Sequence, residues 1–546
     1  MGELMENKRF GVMLDVSRNA VMNLEEIKNY IDTLYSIGYN MIQLYTEDTF
    51  EVEGEPYFGY MRGRYTQDDL KEIDDYCTKK GIELIPCVQT LAHLNAIFRW
   101  NEYQQICDVN DILLLNEPRT YQLIENIFKT IKNCYSSKIV HVGMDEAHML
   151  GLGKYLDKYG YQNRFDILIN HLNKVIEIAK KYDLQPLIWS DMFFRLINHG
   201  NYYLEGDMTA DAVDCIKDKI TKEVGLVYWD YYNDDKAMYD KMFDAHKRMS
   251  DNVWFAGGAW TWRGFAPLNK YSLKTMLPAM KSCRENDIDN VLITMWGDDG
   301  AECSRYATLS SLYYIKRVYD GESDLEKIKE EFKQITGEEF DAFMSLDLPN
   351  YVGDYETNTD AVSTAKAHLY NDLLRGYLDV TIPEDSEKFY LESAKVLDEY
   401  MKKSKYAYVF NTQVKLCELL AVKSALGIKI RNAYDKKDKK SLKKCVKEID
   451  VACKKLEAFY NAFCYQWMKE NKPHGFDIQD IRLGGLMQRL KHCKQMLNDY
   501  ISGKTTNVPE LEEKLIDYPN ENQTKKGSIG YNSWMKVVSV NCMYHV

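Results

Sequence analysis

The stretch KIVHVGMDEAHML, residues 138–150, decides how the chain is read. Ile139 to Val142 read as a buried strand that runs straight into Gly143. Two adjacent acids, Asp145 and Glu146, follow, and then a helical pattern. A carboxylate within a residue or two of an apolar strand is less free to be solvated than a loop acid. Two of them side by side need a chemical reason.

Seven more runs of this kind flank it: 9–16, 40–46, 82–89, 186–190, 225–230, 253–257 and 290–297. They are apolar almost throughout, as strands covered on both faces should be. Helical patterns lie between them. Asn23 stands where a cap would open a helix that stops at Gly38, and Thr66 where one would open a helix that stops at Gly81. Eight β–α units within about 320 residues suggest a (β/α)8 TIM barrel, an α/β fold. A doubly wound open sheet is the rival, weakened because no GxGxxG follows the first run.

A barrel places its chemistry at the C-terminal ends of the strands. Those ends carry Asp15, Ser17 and Arg18; Glu47 and Asp48; His93; Asp145, Glu146 and His148; Trp189 and Asp191; Trp229, Asp230, Tyr231 and Tyr232; Trp260 and Trp262; Trp296 and Asp298. Five of the 9 Trp fall at or just past four successive strand ends. Acids and indoles converging on one rim suit a carbohydrate pocket, since the apolar face of a sugar rests well on an indole.

The remaining sequence bounds the rest. At 546 residues the chain is too long for one core. The expected division is a catalytic barrel over 1–340 and an α-helical C-terminal domain over 341–546. There apolar residues recur at three- and four-residue spacing, the texture of a helical bundle. DKKDKKSLKK, 435–444, reads as a solvated turn, and NKPHGFDIQDIRLGG, 471–485, as a break at Pro473 and Gly475. The break reads either as a plain interhelical loop or as a segment reaching over the barrel mouth. The tail GYNSWMKVVSVN, 530–541, alternates like a strand and is expected to dock on this chain or on a partner.

A formal charge of -13 argues against a nucleic-acid partner, and no apolar run approaches the length of a membrane helix. MGELMENKRF lacks the apolar core of a signal peptide, and Glu6 stands where myristoylation needs Ser or Thr. The 13 Cys are scattered without CxxC pairs, so a cytoplasmic setting with free thiols is expected. Nothing calls for a metal or organic cofactor. Oligomeric state is open, a homodimer being one expectation.

Adjacent residues on a regular strand point to opposite faces. Asp145 and Glu146 therefore fit poorly as the nucleophile and acid of an ordinary retaining glycosidase, whose carboxylates lie about 5–5.5 Å apart. If the strand breaks at Gly143, both reach one ligand at different atoms: one acid protonates the leaving oxygen, and the other steers a group on the substrate.

HVGMDEA, 141–147, resembles the H-x-G-G/M-D-E signature of glycoside hydrolase family 20, the β-N-acetylhexosaminidases. GVMLDVSRNA, 11–20, is similar to that family's first-strand motif, which ends in a sugar-binding Arg. YTQDDLKEIDDYCTKKGIELIPCVQTLAHL, 65–94, resembles its third βα unit, which ends in a His. MWGDD, 295–299, resembles its last-strand W-G-E. The matches run from 9 to 300 in the family's order. The long helical tail is most similar to the bacterial branch with a helical C-terminal domain.

The resemblance implies substrate-assisted, retaining hydrolysis of terminal β-GlcNAc or β-GalNAc, with a glycan or oligosaccharide as partner. In it the sugar's own 2-acetamido oxygen attacks the anomeric carbon and forms an oxazolinium. Glu146 would be the general acid and then the base, and Asp145 would orient the acetamide. Arg18 would hold O3 and O4, Asp298 with Trp296 beside it O4 and O6. Trp189, Trp229 and Trp260 would wall the acetamide pocket. His93, with Glu47 or Asp48 behind it, would hydrogen-bond Glu146, and His141 would be structural. Two departures stand out. Where relatives carry a Tyr for the acetamide carbonyl this chain reads AWTWRG, 259–264, leaving Thr261, Trp262, Tyr231 or Tyr232 for that contact. Asp298 is shorter than the family's usual Glu, which implies relaxed recognition of the gluco and galacto epimers. A catalytically silent sugar-binding barrel and a β-glycosidase that ignores the acetamide are the alternatives.

Overall fold

The computed structural model describes residues 8–298 and 300–516. Eight parallel strands close a barrel: β1 (Arg9–Asp15), β2 (Met41–Tyr45), β3 (Glu83–Cys87), β4 (Ile139–His141), β5 (Gln185–Trp189), β6 (Gly225–Trp229), β7 (Val253–Gly258) and β8 (Asn290–Met295). Each pairs with the next, and β1 pairs with β8 from Arg9↔Asn290 to Leu14↔Met295. Only the first residues of β1, β3, β5 and β8 escape burial. Helices cover the outer face and side chains fill the interior, which is why the strands show no polar alternation.

Local chemistry sets the helix bounds. Asn23 accepts from the Glu26 amide and opens the helix Leu24–Ser36. Thr66 and Asp69 form a reciprocal capping box ahead of Gln67–Lys80, which ends on left-handed Gly81. A short antiparallel pair, Cys107–Val109 with Ile112–Leu113, is inserted between β3 and β4.

The chain forms two compact units, and the division is not linear. The barrel unit holds the chain up to Ala259, Ser272–Trp296 and Leu312–Ile328. The second unit takes Trp260–Tyr271, Gly297–Ser311 and the chain from Lys329 onward. The expected cut near 340 treats the two as successive segments. The segments that leave β7 and β8 instead count with the helices.

Within the second unit, helices Ser386–Met401, Ala407–Lys423, Lys439–Glu470 and Phe476–Ser502 pack in series, with Leu426–Asp435 against the third. Asp438, inside the run 435–444, accepts from the Lys440 and Ser441 amides and opens the 32-residue helix, so the rest of that run is helical. The chain breaks at 471–475, and Phe476–Gly485 begins the next helix. Glu302, just after β8, is buried between Lys366 (2.6 Å) and Arg482 (2.9 Å). No described helix is long and apolar enough to cross a membrane. The segment 530–541 lies outside the described residues.

Candidate active site

The strand β4 stops at His141 because the backbone then turns into a conformation no strand tolerates. Gly143, Met144 and Glu146 have φ of +71°, +72° and +49°. Left-handed geometry at a non-glycine residue costs on the order of 1 kcal/mol or more, so the surroundings must enforce it. Gln89, just past β3, is the enforcing group. Its Oε1 accepts from the Met144 amide at 3.2 Å, and its Nε2 donates to Asp145 Oδ1 at 2.8 Å and to the Tyr45 hydroxyl at 3.0 Å. A Cβ at position 143 would overlap that Gln89 side chain, so glycine is required there for space as well as for φ.

This turn puts two adjacent carboxylates in one place with unequal surroundings. The Asp145 side chain retains 14% of its surface and that of Glu146 42%. His93 Nε2 lies 3.1 Å from Asp145 Oδ2 and 3.9 Å from Glu146 Oε2. The ring nitrogen pairs with Asp145 as an ion pair and is too far from Glu146 for a hydrogen bond. The expected His93–Glu146 hydrogen bond is thus replaced by a closer pairing with Asp145. The cause is the turn, which swings Asp145 inward and Glu146 outward. His93 is itself held in left-handed geometry, φ +57°, with its amide donating to Asp111 at 2.9 Å.

The charges follow from these contacts. Burial works against a charged His93, but Asp145 and then Glu47 outweigh it and lift the imidazole to about 10. Burial would raise Asp145, yet His93 and Gln89 hold it below the usual carboxylate range. Glu146 moves the other way: burial, then Asp145 and Asp191, push it up against the pull of His93 and Arg195. Asp145, Glu146 and His93 also offer three ligand atoms within 4.8 Å of one another. A metal bound there would first have to displace the proton that the ion pair with Asp145 favours on His93.

Arg18 reaches Glu47 at 3.1 Å, and Tyr45 donates to the same carboxylate at 3.0 Å. Burial lifts Glu47 to about 7, with Arg18 and His93 opposing. Of the two acids left open behind His93, Glu47 is the one that shares its field; Asp48 turns to Arg62 at 2.9 Å.

The indoles divide by depth. Trp189 is fully buried and lies beside His141 (4.4 Å between ring centres) and Trp296 (6.1 Å). His141 accepts from the Gly143 amide, and burial pushes it down to about 3, so it stays neutral as a structural residue. Trp296 is half-buried and takes Tyr45 edge-on at 4.8 Å. Trp229 stacks on Tyr231, centres 5.3 Å apart, and the Tyr231 side chain hydrogen-bonds Trp296 and Thr294. Trp260 and Asp298, expected at the same rim, belong to the second unit. There Trp260 is buried and stacks on Trp262, with ring centres 4.2 Å apart, and Asp298 is exposed.

Two contributors escaped the sequence reading. Gln89 closes an apolar run in the same way as the acids, and that position was its only signal. Arg195 binds the buried Asp191 at 3.0 Å while its other end lies 3.8 Å from Glu146 Oε1. Nothing in its helix Asp191–Ile197 marks it. Asp191 also accepts from the Glu146 amide at 3.1 Å, and burial, with Asp145 next, raises it to about 6.

Comparison with known proteins adds a lineage to this geometry. The model "Glycosyl hydrolase family 20, catalytic domain" matches residues 9–221, and "Glycoside Hydrolase 20C C-terminal domain" matches 341–530. The chain belongs to glycoside hydrolase family 20. Among relatives of this family-20 chain, Hexosaminidase D of Homo sapiens is 23% identical over 166 residues, 29% of this chain and 34% of the relative. Hexosaminidase D of Bos taurus is 22% identical over 42% of this chain and 64% of its own length. The Beta-hexosaminidase of Akkermansia muciniphila is 23% identical over 25% of this chain and 34% of its own. The family-20 chain thus spans about a third of the human and bacterial relatives and just under two thirds of the bovine one. Among solved structures, the exo β-N-acetylglucosaminidase of Vibrio harveyi matches with a TM-score of 0.47 at 15% identity, covering 63% of this chain and 58% of that one. The Flavobacterium johnsoniae chitobiase matches with a TM-score of 0.45 at 15% identity, covering 93% and 74%.

Proposed function

We propose that this chain is an exo-acting β-N-acetylhexosaminidase that works by retaining, substrate-assisted hydrolysis. The observation that carries the reading is the opposed state of two neighbouring carboxylates. Asp145 is held ionised by His93 and Gln89, while Glu146 is held toward its protonated form. That is the division of labour the chemistry needs.

The acetamide oxygen of the bound sugar attacks C1 as Glu146 gives its proton to the glycosidic oxygen, and the aglycone leaves as an alcohol. Asp145 accepts from the acetamide N–H and offsets the positive charge of the oxazolinium. Glu146, now a carboxylate, takes a proton from a water that attacks C1. The ring opens, the acetamide is restored, and the β configuration is kept. No protein nucleophile takes part, the recognised exception to the two-carboxylate rule.

In this reading Arg18, held by Glu47, meets the sugar hydroxyls. Trp189 and Trp296 back the ring. Tyr231 is the residue of choice for the acetamide carbonyl, since its side chain already lies against Trp296 and Thr294. The setting is a reducing one, the cytoplasm, in keeping with 12 described cysteines that are all free thiols, most of them buried.

Chromophore release from β-GlcNAc, β-GalNAc and β-Glc glycosides tests the proposal. Turnover is expected on the first two, within about tenfold of each other, and to be negligible on the third. Equal turnover of the β-glucoside would overturn it, because glucose carries no internal nucleophile. Tight binding of a thiazoline analogue without turnover of any glycoside would make the chain a silent sugar binder.

A further inference from the structure

Near Glu146 lies a cavity that the mechanism above does not use. It encloses about 350 Å³, within the range of small-ligand sites. His148, Tyr161, Asn163, Arg164, Arg195 and His199 line it, and no acid does. Arg195 links it to the catalytic turn: its Nη2 is 3.8 Å from Glu146 Oε1. His148, two residues beyond Glu146, sits on the same turn, with its amide donating to the Glu146 carbonyl at 2.6 Å.

Two arginines line the cavity, and one of them, Arg164, has no carboxylate partner among the described residues. Asp191 takes Arg195 through Nε at 3.0 Å, the Arg195 Nη1 donates to the Gly200 carbonyl at 3.1 Å, and its Nη2 lies 3.8 Å from Glu146, so this guanidinium anchors the cavity to the catalytic turn. Arg164 makes no ion pair among the described residues. Its Nε and Nη2 donate to the carbonyls of Leu150 (3.0 Å) and His148 (2.6 Å), which fixes the guanidinium in place. A rigid arginine with a free edge suits a planar anion better than a lysine would.

Position decides which part of a substrate would enter. The indoles and the Arg18–Glu47 pair, which serve the hydrolysed sugar, do not line this cavity. Its link runs through the carboxylate that hands a proton to the departing oxygen. We propose that the cavity is a leaving-group subsite that accepts an anionic residue, a glycan unit carrying a carboxylate or a sulfate ester, next to the cleaved bond. This rests on the reading of Glu146 as the general acid.

The test compares GlcNAc β-linked to glucuronic acid, to glucose and to glucose 6-sulfate. An acidic leaving group should raise kcat/KM by about tenfold or more over glucose, since one charge-assisted contact is worth that much. The arm that gains more identifies carboxylate or sulfate as the ligand. The preference should shrink toward one in Arg164→Gln, in His199→Gln, and in wild type as sodium chloride is raised. The salt arm needs no variant to fold. Equal kcat/KM on all three disaccharides, with β-GlcNAc still released, would overturn this inference and leave the hydrolase standing. No release from any of them would overturn both.

Discussion

His93 Nε2 stands 3.1 Å from Asp145 and 3.9 Å from Glu146, so one imidazolium biases two neighbouring carboxylates by unequal amounts. The nearer acid is pulled below the usual range, and the farther one is left above it by burial and by its two acidic neighbours.

The pH profile follows. The working form has Asp145 ionised and Glu146 protonated. kcat/KM should rise as pH climbs through a value below an ordinary aspartate and fall through one above an ordinary glutamate. Removing the cation in His93→Gln relieves the pull on both, so both limbs move to higher pH. An acid limb that stays put in the variant would mean that His93 is not what keeps Asp145 charged.

Stability carries the same linkage. The folded-state value of His93 is raised to about 10. Its contribution is therefore complete below the unfolded value near 6.5 and is lost as pH rises through about 10. The gap in melting temperature between wild type and His93→Gln should be widest near pH 6 and should close by about pH 10. A gap that widens with pH would contradict the ion pair.

Asp145→Asn and Glu146→Gln test the two roles. Each should lower kcat by about 10²–10⁴-fold. Azide should rescue turnover of a Glu146→Ala variant on substrates with good leaving groups, but not of an Asp145→Ala variant, whose nucleophile is misaimed. Rescue of both alike would refute the separation of roles.

Gly143→Ala should destabilise by about 1–3 kcal/mol, through left-handed backbone strain and overlap with Gln89. Gln89→Ala should restore part of that loss in the double variant, read as a coupling of at least about 0.5 kcal/mol in a denaturation cycle. Strict additivity would show that the two side chains do not meet.

The indoles should separate by depth. Trp189→Ala should cost about 3–5 kcal/mol of stability, as a fully buried Trp does. Half-buried Trp296→Ala should change stability less and raise KM more. Melting curves beside Michaelis kinetics distinguish them, and the reverse order would mean that Trp296, not Trp189, is the indole that packs the core.

Much of the barrel was legible from the chain because its information is local. Eight apolar runs, the caps at Asn23 and Thr66 and the stop at Gly81 are each decided by neighbours within a turn or a strand. Asp145 and Glu146 were legible for the same reason: acids touching an apolar strand need no partner to look unusual. The roles of Gln89 and Arg195 were not. Gln89 meets Asp145 across 56 positions, and that meeting exists only once β3 and β4 lie side by side. The same closure chose Asp145 over Glu146 as the nearer partner of His93, and set Trp189 as buried and Trp296 as half-exposed. It also grouped Trp260 and Asp298 with the helices of the second unit. Residue type and spacing determined which elements form and which side chains are chemically able. Only the packed chain, through distances, burial and the charges that burial shifts, decided which of them act on one another.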